Sequence, residues 1–267
     1  MNKQIHFIGG GQMVEAIIRA LLNNKLYSSD AISVTDINQE RVRYLNETYQ
    51  IHASQDLQNS LEKAELIIIG VRPQDDLVGV CQSIKAIAPT TVPILSIVAG
   101  VTIEQFEAWL NEAYPIIRVI PNTLTDTGFG FSGVALNAKA EIADVESFLT
   151  GFGKVKYIEE RLIDVFTGYG VAGPNYIYYF IESLADAGVL AGLPRSLAWE
   201  LALENMVGAV EMLKRTDKHP RQLLDINNSP AGVGINALHE LNRSDFAAGL
   251  QRSVLKAVQR TTELANE

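Results

Sequence analysis

The residues best suited to chemistry stand near the start of the chain, where an apolar run leads into three consecutive glycines. Residues 9–11 follow Ile5–Ile8 directly, and helical spacing of apolar residues begins at Met13. Backbone without Cβ atoms lets a pyrophosphate approach, and the N–H groups at a helix start favour an anion. The alternative is a structural turn, because Val14 replaces the third glycine of the usual pattern. The expected dinucleotide-binding residues here are Gly9, Gly10, Gly11, Gln12 and Met13.

An acidic residue follows the next β-rich run. Asp36 ends Ile32–Thr35 and lies about 25 residues beyond Gly11, near the spacing at which a carboxylate binds the ribose 2'-hydroxyl of NAD. It would repel the 2'-phosphate of NADPH, which favours NADH. The alternative is that Asp36 caps the next turn or helix. Arg41 and Arg43 follow on that helix and would compensate if they turned towards a phosphate, so the preference stays open.

Two later strand ends add coenzyme candidates. Val71, Arg72 and Pro73 follow an apolar run, and Arg72 is suited to a phosphate or ribose contact. The alternative for Arg72 is a solvated surface position. Ala99 and Gly100 end another run with small residues, consistent with a nicotinamide close to the backbone. The alternative for that segment is a tight turn.

These candidates lie where strands give way to helices or loops. Apolar strands covered on both faces and alternating with helices predict an α/β fold with a doubly wound, mainly parallel sheet. Strands are predicted at Gln4–Ile8, Ile32–Thr35, Leu66–Val71, Ile94–Val98, Ile116–Ile120, Gly133–Leu136 and Val155–Ile158. Helical spacing covers Met13–Leu22, Gln39–Tyr49 and Thr102–Leu110.

The character of the sequence changes near residue 161, after which only helices are predicted. We expect a dinucleotide-binding domain at 1–160 and a helical substrate and dimerisation domain at 161–267. Residues 177–181 are apolar nearly all round, more than one helical layer can cover, so a homodimer is expected. The predicted helices are Pro174–Leu190, Arg195–Arg215, Ile235–Leu241 and Asp245–Ala265.

Composition excludes several classes of protein. A net charge of -9 disfavours general binding to nucleic acid or to anionic membranes. Cys81 is the single cysteine, so no intrachain disulfide can form and Cys-rich metal motifs are excluded. The sequence contains no signal-peptide pattern and no apolar run of about 20 residues. We therefore expect a cytoplasmic protein without a metal site.

Taken in order, many segments resemble those of the pyrroline-5-carboxylate reductase family, which makes proline by reducing a cyclic imine. The resemblance covers nearly the whole chain, and the number of segments in the right order makes it specific. The matching segments are Gly9–Met13, Val71–Pro73, Ser96–Val101, Arg118–Thr123, Gly173–Tyr176, Glu182–Val189, Gly192–Arg195, Gly208–Leu213 and Ser229–Gly232.

The resemblance implies a Rossmann domain followed by a helical domain that dimerises, with dimers often assembled further into rings. It also implies direct hydride transfer from NAD(P)H to an imine carbon, without a metal. Such a reaction depends mainly on alignment, exclusion of water and stabilisation of an iminium-like substrate. The absence of a recognisable catalytic triad is consistent with this chemistry.

Three segments depart from the family pattern. Gly170-Val171-Ala172 stands where the family usually has Ser-Gly-Ser, and Glu204-Asn205 where it has Gln-Thr. Residues 231–234 read Ala-Gly-Val-Gly instead of the Gly-Gly-Thr-Thr that holds the substrate carboxylate. Each lost donor to a charged group costs about 1.5 to 3 kcal/mol. Backbone amides of residues 229–234 and the side chains of Asn175 and Asn205 are the expected replacements.

The leading prediction is reduction of 1-pyrroline-5-carboxylate to L-proline. Asn205 and Tyr176 are the catalytic candidates, Tyr176 as a proton source or else as a packing residue, and Asn122 should support the nicotinamide. The expected substrate-binding residues are Gly173, Asn175, Asn205, Ser229, Ala231, Gly232, Val233 and Gly234. The alternatives are a reductase of another cyclic imine and a non-catalytic nucleotide-binding sensor or assembly protein.

Overall fold

The computed structural model describes residues 3–264, except the side chains of Asp126 and Leu264. Within that range the chain forms two compact units, residues 3–171 with 257–264 and residues 172–256. The first unit contains one sheet of eight strands. They are β1 Ile5–Ile8, β2 Ile32–Thr35, β3 His52–Ser54, β4 Leu66–Ile69, β5 Ile94–Ser96, β6 Ile116–Pro121, β7 Phe131–Leu136 and β8 Lys154–Tyr157.

The order of the strands defines where a ligand would bind. They lie as β3-β2-β1-β4-β5-β6-β7-β8, and all neighbours are parallel except β6 and β7. The chain runs outward from β1 to β3 and then returns to the other side of β1, so the strand order reverses between β1 and β4. Ligands of such sheets bind outside the carboxyl ends of the strands at this reversal. The predicted doubly wound, mainly parallel sheet is confirmed.

Helices of the first unit pack apolar stripes against the sheet. Val14, Ile17, Ile18 and Leu21 repeat at helical spacing on α1 and are all fully buried. Helix α2 begins after Asn38, whose side chain accepts two amide hydrogen bonds of the first turn. The helices are α1 Gln12–Asn23, α2 Gln39–Tyr49, α3 Leu57–Leu61, α4 Leu77–Ile87, α5 Ile103–Trp109, α6 Ile142–Thr150 and α7 Ile163–Phe166.

Some elements differ from the sequence expectation. Strand β4 ends at Ile69 and β5 at Ser96, two residues earlier than predicted in each case, because the chain turns there towards the next helix. Strand β3 and helices α3, α4, α6 and α7 were not predicted. The last strand ends at Tyr157, and the domain boundary expected near residue 161 stays a prediction.

Only helices and turns occur among described residues 161–264. A π-helical turn, Thr167–Val171, precedes the second unit. The helices are α8 Gly173–Leu190, α9 Arg195–Arg215, α10 Pro220–Asn227, α11 Val233–Arg243 and α12 Phe246–Leu264, the last of which continues into the first unit from residue 257. The predicted end of the last helix, Ala265, lies outside the described residues. No helix among the described residues is long and apolar enough to span a membrane.

The second unit has a very small core of its own. Its fully buried residues are Pro174, Ala185, Ala198 and Ala202. Helices α8 and α9 approach closely at Gly188, where an added Cβ would lie 2.9 Å from the Cβ of Ala198. Elsewhere these helices expose large apolar side chains, so their surfaces resemble an interface rather than a solvated face.

Candidate active site

The glycine turn connects β1 to α1 at the strand-order reversal. Gly9 has φ +90° and donates its amide to the carbonyl of Thr35 at 2.7 Å. A Cβ on Gly9 would lie 2.9 Å from the carbonyl oxygen of Gly70, so both the conformation and the space require glycine. By contrast, a Cβ on Gly11 would meet nothing within 4 Å. The turn therefore leaves open space in front of the first amides of α1, which have no partner within the helix.

Asp36 lies against this turn. Its Oδ2 accepts the amide of Gly10 at 2.7 Å, and its Oδ1 accepts the amide of Asn38 at 2.8 Å. Gly10 itself has no room for a side chain, because a Cβ would lie 2.7 Å from Cδ1 of Leu45. The acid predicted to select the ribose is thus at the carboxyl end of β2 and beside the glycine turn.

Val14 stands where the usual dinucleotide-binding pattern has its third glycine, and the neighbouring strand compensates for this difference. Val14 is fully buried, and its Cγ2 would lie 2.5 Å from a Cβ built on Gly70, at the end of β4. The close approach between helix and strand, usually allowed by a glycine on the helix, is here allowed by a glycine on the neighbouring strand. Sequence reasoning missed the role of Gly70, although a glycine ending an apolar strand was visible.

In the loop after β4, Arg72 is paired with Asp75. The Arg72 guanidinium donates to Oδ1 of Asp75 at 2.8 Å, and its backbone amide donates to Oδ2 at 2.8 Å. The hydrogen bond from the Arg72 side chain lowers the pKa of Asp75. The side chain of Arg72 is 79% exposed, whereas Val71 and Pro73 beside it are partly buried.

Asn122 follows β6 at the same edge of the sheet, since β5 and β6 are parallel. It is fully buried, and its Oδ1 accepts the amides of Leu124 and Phe131, both at 3.2 Å. These two donors identify the oxygen end, and among the described residues the Nδ2 group has no partner. An orphaned buried donor costs about 1 to 3 kcal/mol unless a ligand or water accepts from it. Asn122 therefore carries a buried donor that a ligand carbonyl or a water would satisfy.

Ala99 and Gly100 follow β5 at this edge as well. Gly100 is buried and has φ +81°, and Ala99 is half-buried. The preceding Ser96 is buried, and its hydroxyl accepts the amide of Val98 at 3.2 Å, which holds the turn after the strand. The predicted coenzyme residues thus come together along the carboxyl edge of β1, β2, β4, β5 and β6.

A buried carboxylate behind the glycine turn was not predicted. Glu15, in the first turn of α1, accepts the hydroxyls of Tyr44 at 3.0 Å and Tyr49 at 2.7 Å, and pairs with Arg41 and Arg19. Burial raises the pKa of Glu15, but the hydrogen bonds from Tyr49, Arg41 and Tyr44 outweigh it, so the pKa is lowered overall. Glu15 is therefore an ionised carboxylate at neutral pH.

The predicted substrate residues lie on three elements of the second unit. Gly173, Asn175 and Tyr176 occupy the first turn of α8, with Asn175 exposed and Tyr176 half-buried. Burial raises the pKa of Tyr176, so the phenol is protonated at neutral pH. Asn205 is exposed in the middle of α9.

The third element is the turn that leads into α11. The amide of Gly232 donates to the carbonyl of Ser229 at 3.0 Å, and a Cβ on Gly232 would lie 2.3 Å from Oγ of Ser229. Ala231 has φ +58°, and a Cβ on Gly234 would lie 2.4 Å from Oδ1 of Asn228. Val233 begins the helix and is 90% exposed. As at any helix start, the first amides of α11 have no partner within the helix.

A doubly wound sheet with this glycine turn, acid and buried amide defines a dinucleotide-binding oxidoreductase. Residues 4–100 match the family model for NADP oxidoreductases, coenzyme F420-dependent, and residues 160–264 match the model for pyrroline-5-carboxylate reductase dimerisation. The chain is 35% identical to a pyrroline-5-carboxylate reductase of Synechocystis sp. over 270 residues, with 100% of each chain covered. It therefore belongs to the pyrroline-5-carboxylate reductase family.

Other relatives agree. The Escherichia coli pyrroline-5-carboxylate reductase is 31% identical over 268 residues, with 99% of each chain covered. The Coxiella burnetii structure of such an enzyme gives a TM-score of 0.88 at 28% identity, covering 99% of each chain. The Plasmodium falciparum enzyme, crystallised with NADP bound, gives 0.88 at 26% identity, covering 99% of this chain and 98% of that one. The predicted family, the two-part fold and an NAD(P)H-dependent oxidoreductase acting on C=N bonds are confirmed.

Proposed function

We propose that this chain reduces 1-pyrroline-5-carboxylate to L-proline, using NADH in preference to NADPH. The observation that carries the proposal is the buried Nδ2 group of Asn122 at the sheet edge that also bears the glycine turn and Asp36. A nicotinamide dinucleotide fits these groups because its pyrophosphate, ribose and carboxamide need an open helix start, a carboxylate and a donor. The name and full-length similarity of the relatives support the same substrate.

Each group of the coenzyme has its own proposed partners. The backbone of residues 9–13 binds the pyrophosphate, Asp36 accepts from the ribose hydroxyls, and Asn122 donates to the carboxamide. Ala99 and Gly100 let the nicotinamide lie close to the backbone. Residues 71–73 are proposed to close over the coenzyme, with Arg72 exchanging Asp75 for a phosphate or ribose oxygen.

When bound, the reduced nicotinamide supplies hydride to the imine carbon. The ring nitrogen needs one proton for each hydride, and the protonated phenol of Tyr176 is the proposed source. Asn205 is the proposed polar partner of the substrate ring, and Gly173 and Asn175 are proposed to contact the substrate as well. Ser229 and the amides of residues 231, 233 and 234 are proposed to hold the carboxylate in place of the family's threonine hydroxyls, since the amide of Gly232 already donates to the carbonyl of Ser229.

The first test is a steady-state assay with pyrroline-5-carboxylate, following oxidation of NADH and NADPH separately. We expect turnover with both and a higher kcat/KM with NADH, because Asp36 would face the 2'-phosphate of NADPH. Asp36→Ser should then raise kcat/KM with NADPH relative to NADH. Turnover without any effect of Asp36→Ser on that ratio would contradict the role of Asp36.

Gly11→Ala tests the pyrophosphate turn independently of the substrate. The new Cβ meets nothing in the protein, so Tm should not change, whereas the methyl group enters the space proposed for the pyrophosphate. We expect coenzyme binding, measured by NADH fluorescence, to weaken by at least about tenfold, the equivalent of about 1.4 kcal/mol. Unchanged binding would show that the coenzyme lies elsewhere.

One observation favours a second candidate, a cyclic imine without a carboxylate. The residue that begins α11, Val233, exposes an apolar side chain where the family has a hydroxyl. Tight coenzyme binding with no turnover of pyrroline-5-carboxylate, but turnover of unsubstituted 1-pyrroline, would favour it. Binding without turnover of any imine would favour a nucleotide sensor.

We further propose a cytoplasmic homodimer, assembled into a ring of dimers. The match to the dimerisation model and the exposed apolar faces of α8 and α9 support self-association. A single, buried cysteine suits a reducing compartment. Sedimentation velocity would distinguish a dimer from a larger ring.

A further inference from the structure

The Glu15 carboxylate fixes one arginine beside the glycine turn. Oε2 of Glu15 pairs with the guanidinium of Arg41, while Oε1 accepts the hydroxyls of Tyr44 and Tyr49. The side chain of Glu15 is 7% exposed and that of Arg41 is 18% exposed. The Arg41 guanidinium also lies 5.1 Å above the ring of Tyr44. Together with the pair between Glu15 and Arg19 at 3.6 Å, these contacts hold the two charged groups in one arrangement.

Arg41 uses its remaining donors on the backbone of the turn. Its Nε donates to the carbonyl of Gly10, and one terminal nitrogen lies 3.4 Å from the carbonyl of Gly11. The same Gly10 residue donates its own amide to Asp36 on the other side. A cation and an anion therefore hold the two polar groups of one glycine.

Holding the carbonyl of Gly10 also orients the next amide. In a planar trans peptide the C=O and N–H bonds point in opposite directions. The carbonyl of Gly10 belongs to the same peptide as the amide of Gly11, and the carbonyl of Gly11 to the same peptide as the amide of Gln12. The carbonyl of Gly11 also accepts the amide of Glu15 at 3.0 Å, the first hydrogen bond of α1, so the helix itself sets the direction of the Gln12 amide. Arg41 holds the carbonyl of Gly10, so the amide of Gly11 must point away from the Arg41 guanidinium. The Gly11 amide is among those proposed to bind the pyrophosphate.

We propose that Arg41, held in place by Glu15, is a positioning residue that orients the amide of Gly11 towards the coenzyme phosphates. It does not bind the 2'-phosphate of NADPH. This inference rests on the coenzyme part of the proposed function. It gives a role to an arginine whose position on α2 is equally suited, by sequence, to phosphate recognition.

Coenzyme affinity tests the two roles against each other. Dissociation constants for NADH and NADPH are measured by fluorescence without substrate, on the full chain and on Arg41→Gln, Arg41→Lys and Glu15→Gln. Loss of a charged donor to the backbone should weaken both coenzymes by the same factor, roughly tenfold to a hundredfold. Arg41→Lys should recover part of the loss, because an ammonium can serve one carbonyl but not both.

Arg43→Gln is the matched control. Arg43 lies two residues along the same helix, is exposed, and forms no ion pair among the described residues. Its removal changes the net charge as Arg41→Gln does, so affinities should stay within about twofold of the unsubstituted chain if general electrostatics are minor. A steady-state assay should show the Arg41→Gln effect mainly in KM for the coenzyme, with kcat nearly unchanged.

Four results would overturn the proposal. A selective loss of NADPH binding in Arg41→Gln would make Arg41 a 2'-phosphate ligand, and unchanged binding of both coenzymes would leave it a purely structural residue. If Arg41→Gln fails to fold, Glu15→Gln provides the test, because glutamine keeps the size of glutamate and still accepts from the tyrosines. Unchanged coenzyme affinity in Glu15→Gln would overturn the role of Glu15. Failure of the unsubstituted chain to bind either coenzyme would overturn both this proposal and the proposed function. If the chain binds coenzyme but reduces no imine, the proposed substrate is wrong, and the coenzyme affinities of the variants still test the role of Arg41.

Discussion

Helix α1 of the first unit and helix α8 of the second are both rich in apolar residues, but they differ in how many of these residues are buried. Helix α1 buries a full stripe, from Val14 to Leu21, between its neighbours and the sheet. Helix α8 buries only Pro174 and Ala185, and its Tyr179 is 74% exposed. A sheet offers a helix an extended apolar surface, whereas a single neighbouring helix covers one stripe. The first unit therefore has a core of its own, and the second depends on another surface to cover its helices.

The strongest test of this comparison is to charge the exposed face of the second unit. We expect the combined change Tyr179→Glu and Val207→Glu to raise the dimer dissociation constant by roughly a hundredfold or more, since burying an unpaired charge costs several kcal/mol. Two-fold symmetry would place each new charge in the interface twice. Sedimentation velocity over a concentration series measures the effect.

The matched control for that test is Val78→Glu on α4 of the first unit. Val78 is 43% exposed, so a charge there should leave the association unchanged. An unaltered dimer in the double variant would contradict the comparison, because the apolar faces of α8 and α9 would then be ordinary solvated surface.

The second test uses a titratable group in the core of the first unit. Ser33 donates its hydroxyl to the carbonyl of Ile5, so Nδ1 of His6 donates to Ser33 at 2.8 Å, and Nε2 accepts from Thr35 at 3.1 Å. The neutral ring is thus fully hydrogen-bonded. Burial, and to a lesser degree the charge of His52, lowers the pKa of His6 from 6.5 to about 4.

Stability should therefore fall on acidification. Above pH 6.5 His6 is neutral in both the folded and unfolded chain, so it contributes no pH dependence. Between pH 6.5 and 4 the unfolded chain binds the extra proton, and the free energy of unfolding should fall by about 3 kcal/mol. Urea unfolding of the chain and of His6→Asn across this range isolates the contribution, and His52→Gln should retain most of it. An equal pH dependence in His6→Asn would contradict the assignment.

The third test concerns the contact between α1 and β4. Gly70→Ala would bring a methyl group 2.5 Å from Cγ2 of Val14, and we expect a loss of about 1 to 3 kcal/mol from overpacking. Val14→Ala removes the contacting methyl groups, so it should destabilise the natural chain but stabilise Gly70→Ala. Chemical unfolding of the four proteins of this cycle measures the coupling. Additive effects would mean that the two residues are not in contact.

The sequence predicts the elements whose apolar residues are strongly periodic, and it fails to predict short elements with few buried residues. The predicted bounds of helices Gln39–Tyr49 and Arg195–Arg215 are confirmed, because clear signals flank both helices in the sequence. Asn38 caps the start of the first helix, and turn-forming residues stand before and after the second. Strand β3 was missed because it has three residues, of which only Ala53 is buried. Helix α10 was missed because its eight residues lie between two segments rich in turn-forming residues.

The candidate site likewise has a part that the sequence predicts and a part that it does not. The glycine turn, Asp36 and Asn122 follow predicted strands, so the parallel register brings them to one edge of the sheet. The pairing of Glu15 with Arg41 has no signal in sequence spacing, because it depends on how α1 and α2 pack. The compensation of Val14 by Gly70 likewise depends on two elements far apart in the chain.

The smallest expected effect comes from backbone strain, and it compares one position in each unit. Ala231 has φ +58° and Lys25 has φ +56°, a region that costs a residue with a Cβ about 1 to 2 kcal/mol. Glycine removes that cost but loses about 0.5 to 1 kcal/mol through its freer unfolded chain. Ala231→Gly and Lys25→Gly should therefore each stabilise by roughly 0.5 to 1 kcal/mol, measured as a rise in Tm. Equal gains would mean that the strain is local in both units, whereas a gain at Lys25 alone would mean that the turn before α11 adopts another conformation in the assembled protein.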